Sequence, residues 1–192
     1  KKNIKSRYKV NSNILRFKHY YLKPLMEKDV TEKYLNWLND DEVTKYLEIR
    51  YDNYSIEKLK LYIESFKNDK SKFLFGIFSK RDDDHIGNTT VYNINYQIGT
   101  FDIGYIIGDK NHWGKGASTE TILLSLKYTF DNLNLRKIFT GTYSNHVKSR
   151  FTLKKVGFME EARLKGRFLF KGEAIDEVIY TMDRKQWKDV IK

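Results

Sequence analysis

Asp102-Ile-Gly-Tyr-Ile-Ile-Gly-Asp-Lys-Asn-His-Trp-Gly-Lys-Gly-Ala-Ser-Thr-Glu120 changes character halfway along, and that change decides the fold. The apolar and aromatic residues up to Ile107 read as a strand that delivers the chain to Gly108. A short polar loop follows, and Gly114 and Gly116 stand just before a long segment with helical periodicity. Glycines at a strand–loop–helix junction let successive backbone N–H groups turn inward with no Cβ in the way. The helix start adds its own unpaired N–H groups and the positive end of its dipole. A pyrophosphate is therefore a chemically sensible ligand for residues 113–119. By itself, Gly-Lys-Gly before a helix fits a tight turn equally well. It is not a Walker loop, which ends in Gly-Lys-Ser or Gly-Lys-Thr after a longer glycine run. Nor is it a dinucleotide loop, which needs spaced glycines in an opening βαβ unit and a later ribose-binding acid.

Working outward from this stretch, residues 73–79, 86–95 and 101–107 are rich in Phe, Ile, Val, Tyr and Thr. Polar turns at 81–84 and 95–99 separate them, which predicts a three-stranded antiparallel meander. Upstream, residues 14–18 alternate as a strand leading to Pro24, the only proline. Asp29 is placed to cap a helix with apolar Tyr34, Leu35, Trp37 and Leu38, and Asn39 and Asp40 interrupt it before a short segment at 43–47. Ser55 precedes a second helix in which Ile56, Leu59, Tyr62, Ile63 and Phe66 return every three or four residues. Downstream, Ile122, Leu123, Leu126, Tyr128, Thr129 and Phe130 mark a buried helix. A strand at 137–142, a helix at about 147–155 and strands near 158–164 and 174–182 complete the chain. The order is α+β in a single domain, with a local β-α-β-α-β unit and no internal repeat.

Composition narrows the chemistry. At 192 residues the chain has length for one well-buried core. It has no cysteine, which excludes disulfides, thiolate metal sites and thiol nucleophiles together. The four histidines are dispersed in a way that suggests no metal cage. No apolar run reaches the roughly 20 residues needed to cross a bilayer, so no membrane role and a cytoplasmic location are expected. The formal charge of +11 admits nucleic acid or a polyphosphate-bearing small molecule. Much of the excess sits in ordinary surface lysines and in the arm Lys1, Lys2, Lys5, Arg7 and Lys9, and no nucleic-acid recognition motif accompanies it.

Two segments together carry a family resemblance. Trp113-Gly-Lys-Gly116-Ala-Ser118 resembles the pyrophosphate signature of the GNAT superfamily of acyl-CoA-dependent N-acyltransferases, with Trp113 in place of the usual Gln or Arg and Thr119-Glu120 continuing the helix opening. Residues 143–158, ending Lys155-Val-Gly-Phe158, resemble the superfamily's later strand-to-helix segment. The matching branch holds ribosomal-protein N-terminal acetyltransferases and acetyltransferases of nucleotide-linked amino sugars. Residues 34–43 resemble its acceptor-side helices, and Gly172 with Asp176-Glu-Val resembles its closing hairpin. The likeness implies an N-acetyltransferase domain over 14–188 behind a basic extension at 1–13. It also implies a mixed, mostly antiparallel sheet flanked by helices and splayed at the cofactor-binding strands, with acetyl-CoA as donor and no metal. Donor contacts are expected from Ile106, Ile107, Trp113, Gly114, Lys115, Gly116, Ala117, Ser118, Thr119, Asn145, Ser149 and Arg150. The spacing from Asn145 to Gly157 is one residue longer than is common, so His146 also stands for the usual Asn. Leu153 falls where many relatives place a tyrosine that protonates the departing thiolate.

For the reaction, Asp102 is the first choice of acid near the amine, as base through water or as an orienting charge, with a strand-end turn carboxylate as the plainer alternative. Tyr143 is the second choice, for acceptor contact or proton relay, against an ordinary packed tyrosine. Glu120 is expected to cap its own helix and His112 to be a loop residue near the cofactor. Trp37 is expected in the core, or, if exposed, in an acceptor wall with Tyr34, Tyr46 and Arg50. The expected acceptor is a primary amine on a small molecule, a nucleotide-linked amino sugar first. A protein N-terminus and a nonenzymatic acyl-CoA-binding role stand as alternatives, and a homodimer is kept among the partners. Gly116→Asp is expected to harm donor binding more than folding.

Overall fold

The protein, seen as a computed structural model, is described over residues 14–191; the basic extension expected at 1–13 lies outside the described residues. Among the described residues eight strands form one sheet in the order β1-β2-β3-β4-β5-β6-β8-β7. They are β1 (Leu15–Arg16), β2 (Tyr20–Pro24), β3 (Phe73–Ser79), β4 (His85–Asn95), β5 (Thr100–Ile107), β6 (Lys137–Tyr143), β7 (Met159–Phe170) and β8 (Glu173–Asp183). Every neighbouring pair is antiparallel except β5 and β6, which the helix between them forces parallel. The predicted meander is β3, β4 and β5.

Among the described residues six α-helices flank the sheet: α1 (Glu32–Leu38), α2 (Asp41–Thr44), α3 (Ile56–Glu64), α4 (Ala117–Lys127), α5 (Val147–Val156) and α6 (Arg184–Val190). Two cores result, one on each face. Ile122, Leu124 and Leu126 of α4 and Leu153 and Val156 of α5 bury against Phe101, Ile103, Ile138, Val178 and Tyr180. On the other face Tyr34, Trp37 and Leu38 of α1 and Leu59 and Ile63 of α3 bury against Leu74 and Phe78. Trp37 and Tyr34 are therefore core residues. Gly108 shows how closely the layers meet, since any Cβ there would strike the Trp37 ring.

Several local expectations are corrected. The strand expected at 14–18 is a hairpin, β1 turning back into β2 with Phe17 N–H donating to the Tyr20 carbonyl at 3.0 Å. The cap of α1 is Thr31, whose Oγ1 accepts from Tyr34 N at 3.2 Å, while Asp29 accepts from Met26 N in the turn before it. The last hairpin runs further than its apolar pattern, because residues 165–170 are largely exposed and Lys171 and Gly172, both at positive φ, make its tight turn. Helix α6 carries only Trp187 into the core, too little for a periodic signal, and its start is set by an Asp183–Gln186 capping box.

The feature that creates the site is the separation of β5 from β6. Their pairing covers only Thr100–Lys137, Phe101–Ile138 and Asp102–Phe139. Thr140 Oγ1 then donates to the Ile103 carbonyl at 3.2 Å, and beyond Gly104 and Gly141 no rung joins the strands. The splay expected at these strands is present.

Candidate active site

A cavity of about 760 Å³ occupies the wedge. Its walls are the far half of β5, the loop and first turn of α4, the start of α5, and residues 43, 45, 46 and 47. Of the expected donor residues, Ile106, Ile107, Trp113, Gly114, Gly116, Ala117, Ser118, Thr119, Asn145 and Ser149 line it. Two do not. Lys115 is exposed outside the lining. The Arg150 guanidinium turns away, donating to Ser144 O at 2.9 Å and Tyr180 Oη at 3.2 Å, so it ties α5 to the sheet.

The local chain explains the shape of the phosphate end. Gly114 and Gly116 sit at φ 72° and 87°, a region costly for L side chains, and nothing lies within 4 Å of where their Cβ atoms would be. The N–H groups of Ala117, Ser118 and Thr119 open α4 and have no carbonyl a turn earlier to bond. Lys148 and Lys155 line the same cavity, and among the described residues neither has an ion-pair partner. Glycine cradle, helix start and unpaired ammonium groups make an arrangement chemically suited to an anion.

Side chains fix the cradle. Trp113 Nε1 donates to the Ile107 carbonyl at 2.8 Å, and Tyr20 Oη meets His112 Nδ1 at 3.0 Å. Glu120 does not cap its own helix: buried, it accepts from the backbone N–H of His19 (3.0 Å) and Tyr20 (3.1 Å) and contacts His19 Nδ1 at 2.8 Å, locking the first hairpin to α4. Tyr105 lies between the starts of α4 and α5. Burial raises its phenol pKa, and contacts with Ser149 and Ser118 partly offset the rise. Asn145 Oδ1 is buried with no hydrogen-bond partner among the described residues. His146 stacks on Tyr46 at 4.1 Å between centroids and 14° between planes. Burial, then the charges of Lys148 and Lys45, push its pKa down to about 4, so it is neutral at neutral pH.

Asp102 and Tyr143 lie outside the cavity lining, on the opposite face of the sheet from the α4 core. Asp102 is half-buried and accepts from Asn93 Nδ2 at 2.6 Å; desolvation raises its carboxyl pKa, and the Asn93 bond opposes this. Sequence reasoning missed its companions. Glu177 of β8 fills the space that Gly141 leaves, since a Cβ on Gly141 would collide with its carboxylate. Its pKa is raised, by burial first, with Arg167 lowering it and Glu48 and Asp102 raising it. Tyr92, raised to about 12, feels burial first and then Asp102, Glu177 and Glu48. Three carboxylates, Asp102, Glu177 and Glu48, thus feel one another's charge in a cleft beside Gly141, and Arg167 Nε stands 3.7 Å from Glu177 Oε2. The one available signal was the charged pair Asp176 and Glu177 inside the apolar run of β8.

Tyr143 is buried, stacked on Phe168 at 3.9 Å and 8°, and its hydroxyl accepts from Arg50 Nη1 at 3.0 Å. Of the four residues of the conditional acceptor wall, only Tyr46 and Arg50 are here. Arg50 Nη2 and the Tyr51 hydroxyl both donate to the Leu169 carbonyl, at 2.8 and 3.1 Å, clasping the turn Glu48–Tyr51 to the closing hairpin. No cluster of three or more metal-ligating side chains, and no helix long and apolar enough to cross a membrane, occurs among the described residues.

Comparison with known proteins agrees with this geometry. The family model described as Acetyltransferase (GNAT) domain matches residues 19–159. The chain is similar to "Probable N-acetyltransferase YjcK" of Bacillus subtilis, 34% identical over 77% of this chain and 84% of that one. It is also similar to the [Ribosomal protein uS5]-alanine N-acetyltransferase of Escherichia coli, 27% identical over 65% and 64%. Among solved structures, spermidine N-acetyltransferase from Vibrio cholerae in complex with CoA and spermine superposes with a TM-score of 0.79 at 23% identity, covering 88% of this chain and 98% of that one.

Proposed function

This chain belongs to the GNAT N-acetyltransferase family, and we propose that it moves the acetyl group of acetyl-CoA onto a primary amine of a small, cationic acceptor. The observation that carries the reading is the wedge between β5 and β6, with an anion cradle at one side and a carboxylate cleft on the other face. The cradle residues 114–119 with Lys148 and Lys155 would hold the phosphates, and Asn145 Oδ1 would take a pantetheine amide N–H. Acetyl-CoA supplies an activated acyl group, and the β6-facing backbone edge of β5 past Gly104, where no rung to β6 forms, would orient it.

On the acceptor side Asp102 would receive the ammonium and, through water, help remove its proton before attack. Its raised pKa brings it nearer to a useful base than an exposed aspartate. No acyl-enzyme is needed. The charges of the cleft also argue against the nucleotide-linked amino sugar expected first. A diphosphate near Asp102, Glu177 and Glu48 would meet like charge, roughly 3 kcal/mol per pair at about 6 Å and an effective dielectric of 20 before salt screening. A polyamine or other dication gains what that acceptor would lose. This preference rests on the charges of the cleft, since the spermine-bearing structure shares the fold at only 23% identity.

An acceptor panel of polyamines, aminoglycoside-like amines, nucleotide-linked amino sugars and N-terminal peptides, read by release of free CoA, tests the proposal. Turnover is expected with the polycations, and Asp102→Asn together with Glu177→Gln should raise their KM about 10-fold or more. Transfer only to peptides, or only to nucleotide-linked sugars, would overturn the acceptor class. Tight acetyl-CoA binding with no thioester consumed above background would leave a binding protein instead.

A further inference from the structure

Aminolysis of a thioester must return a proton to sulfur, and Leu153, wholly apolar and buried, supplies none. The cavity's other proton-bearing groups are mostly committed. Tyr105 is engaged by Ser118 and Ser149, and His112 by Tyr20. His146 is neutral and so holds no spare proton. Lys148 and Lys155 stand along α5 with the anion cradle. Tyr46 is different. It lines the cavity, and its hydroxyl has no hydrogen-bond partner among the described residues. Its ring stacks with His146 at 4.1 Å and 14° and with Phe170 at 5.2 Å and 11°. Tyr143 lies 5.9 Å away, centroid to centroid, so Tyr46 stands where the cavity meets the Arg50–Tyr143 side of the cleft. The Lys45 ammonium lies 5.2 Å from the ring centroid.

From this placement we propose that Tyr46 is the acid that protonates the departing CoA sulfur. The inference rests on the acetyl-transfer reading above. As the amine nitrogen bonds the carbonyl carbon and the C–S bond breaks, the Tyr46 O–H proton passes to sulfur. The phenolate is then reprotonated from the proton shed by the new amide nitrogen. The ammonium's remaining displaced proton leaves through Asp102 to solvent, giving amide, CoA thiol and one free proton.

Tyr46→Phe tests this while keeping both ring stacks, so thermal unfolding should be unchanged. The first readout needs no acceptor: ultraviolet titration of the thiol of bound CoA. A phenol poised to donate stabilises the thiolate, so the bound thiol should titrate about one pH unit lower in the wild type than in Tyr46→Phe, while CoA affinity stays within about threefold. The second is turnover with the best acceptor of the panel, where kcat should fall on the order of 10²-fold and lose its alkaline limb. Identical thiol titration in both proteins would overturn the assignment, as would a kcat loss that appears in Lys45→Met and not in Tyr46→Phe. A wild type that acetylates nothing would defeat the acetyl-transfer reading, and the thiol titration would still decide this one.

Discussion

Gly116 shows how one dihedral angle changes an expectation. The sequence placed it at a helix start, where an acidic side chain is tolerated, so Gly116→Asp looked like a clean probe of phosphate binding. In the structure it is the residue before α4 at φ 87°, where any L residue costs roughly 1–2 kcal/mol of backbone strain in addition to lost binding. Thr119 separates the two effects. It lines the cavity from the third position of α4, in ordinary helical geometry, and a carboxylate there is favourable to the helix dipole. Thr119→Glu should therefore leave the thermal midpoint unchanged or slightly raised, while repulsion weakens CoA binding by about 2–4 kcal/mol, roughly 30-fold to 1000-fold. Calorimetric titration beside thermal unfolding reads both quantities. Full affinity in the folded variant would mean that the phosphates sit elsewhere.

At the scale of elements, legibility followed periodicity. The meander, α3 behind Ser55, and α4 behind its glycines were readable because apolar spacing, caps and turns all agreed over ten residues or so. The clasp was not readable, because it joins residues 119 positions apart and neither Arg50 nor Leu169 stands in a pattern. The same holds for Arg150, which the family resemblance put near the cofactor and tertiary packing gave to Tyr180 and Ser144. The donor half of the site follows a local chain path and so was mostly legible. The acceptor half is assembled from β4, β5, β8 and the turn Glu48–Tyr51; Asp102, Tyr143, Tyr46 and Arg50 were named in advance, while Glu48, Tyr92 and Glu177 were not. The clasp makes its own prediction. Arg50→Ala removes the donor to Leu47 O, Tyr143 Oη, Tyr51 Oη and Leu169 O, and should loosen the hairpin while leaving α4 and α5 untouched. Amide exchange around residues 168–173 should accelerate and acceptor KM rise several-fold at unchanged CoA affinity. Equal exchange protection in the two proteins would show the clasp to be idle.

For the molecule as a whole, the pH dependence of stability follows from two histidines buried without charge. His85 lies in the second core against Phe78, Trp37 and Tyr34. Its Nε2 faces two acceptors, Gly87 O at 2.9 Å and Asn88 Oδ1 at 2.8 Å, so that nitrogen carries the proton and buried Nδ1 stays bare. Burial holds its pKa below 6.5, with Asn88 and Gly87 opposing, and His146 is held at about 4. Both folded-state values are depressed, so between them and 6.5 the unfolded chain binds more protons than the native one. Stability is then complete above pH 6.5 and falls as pH drops, by up to about 1.4 kcal/mol per pH unit for each histidine, less for His146 because it keeps some solvent. Asp102 and Glu177 act in the other sense: their raised values penalise the native state at neutral pH, and the penalty is relieved only as pH falls through those values. Below the unfolded value of about 6.5 the two histidines pull the thermal midpoint down as pH falls. His146→Asn removes one of the two titrations and should reduce the slope over that range without altering the midpoint's behaviour above pH 7. Parallel pH profiles for variant and wild type would mean that His146 is as readily protonated in the folded protein as in the unfolded chain, and the neutral imidazole beside Tyr46 would have to be given up.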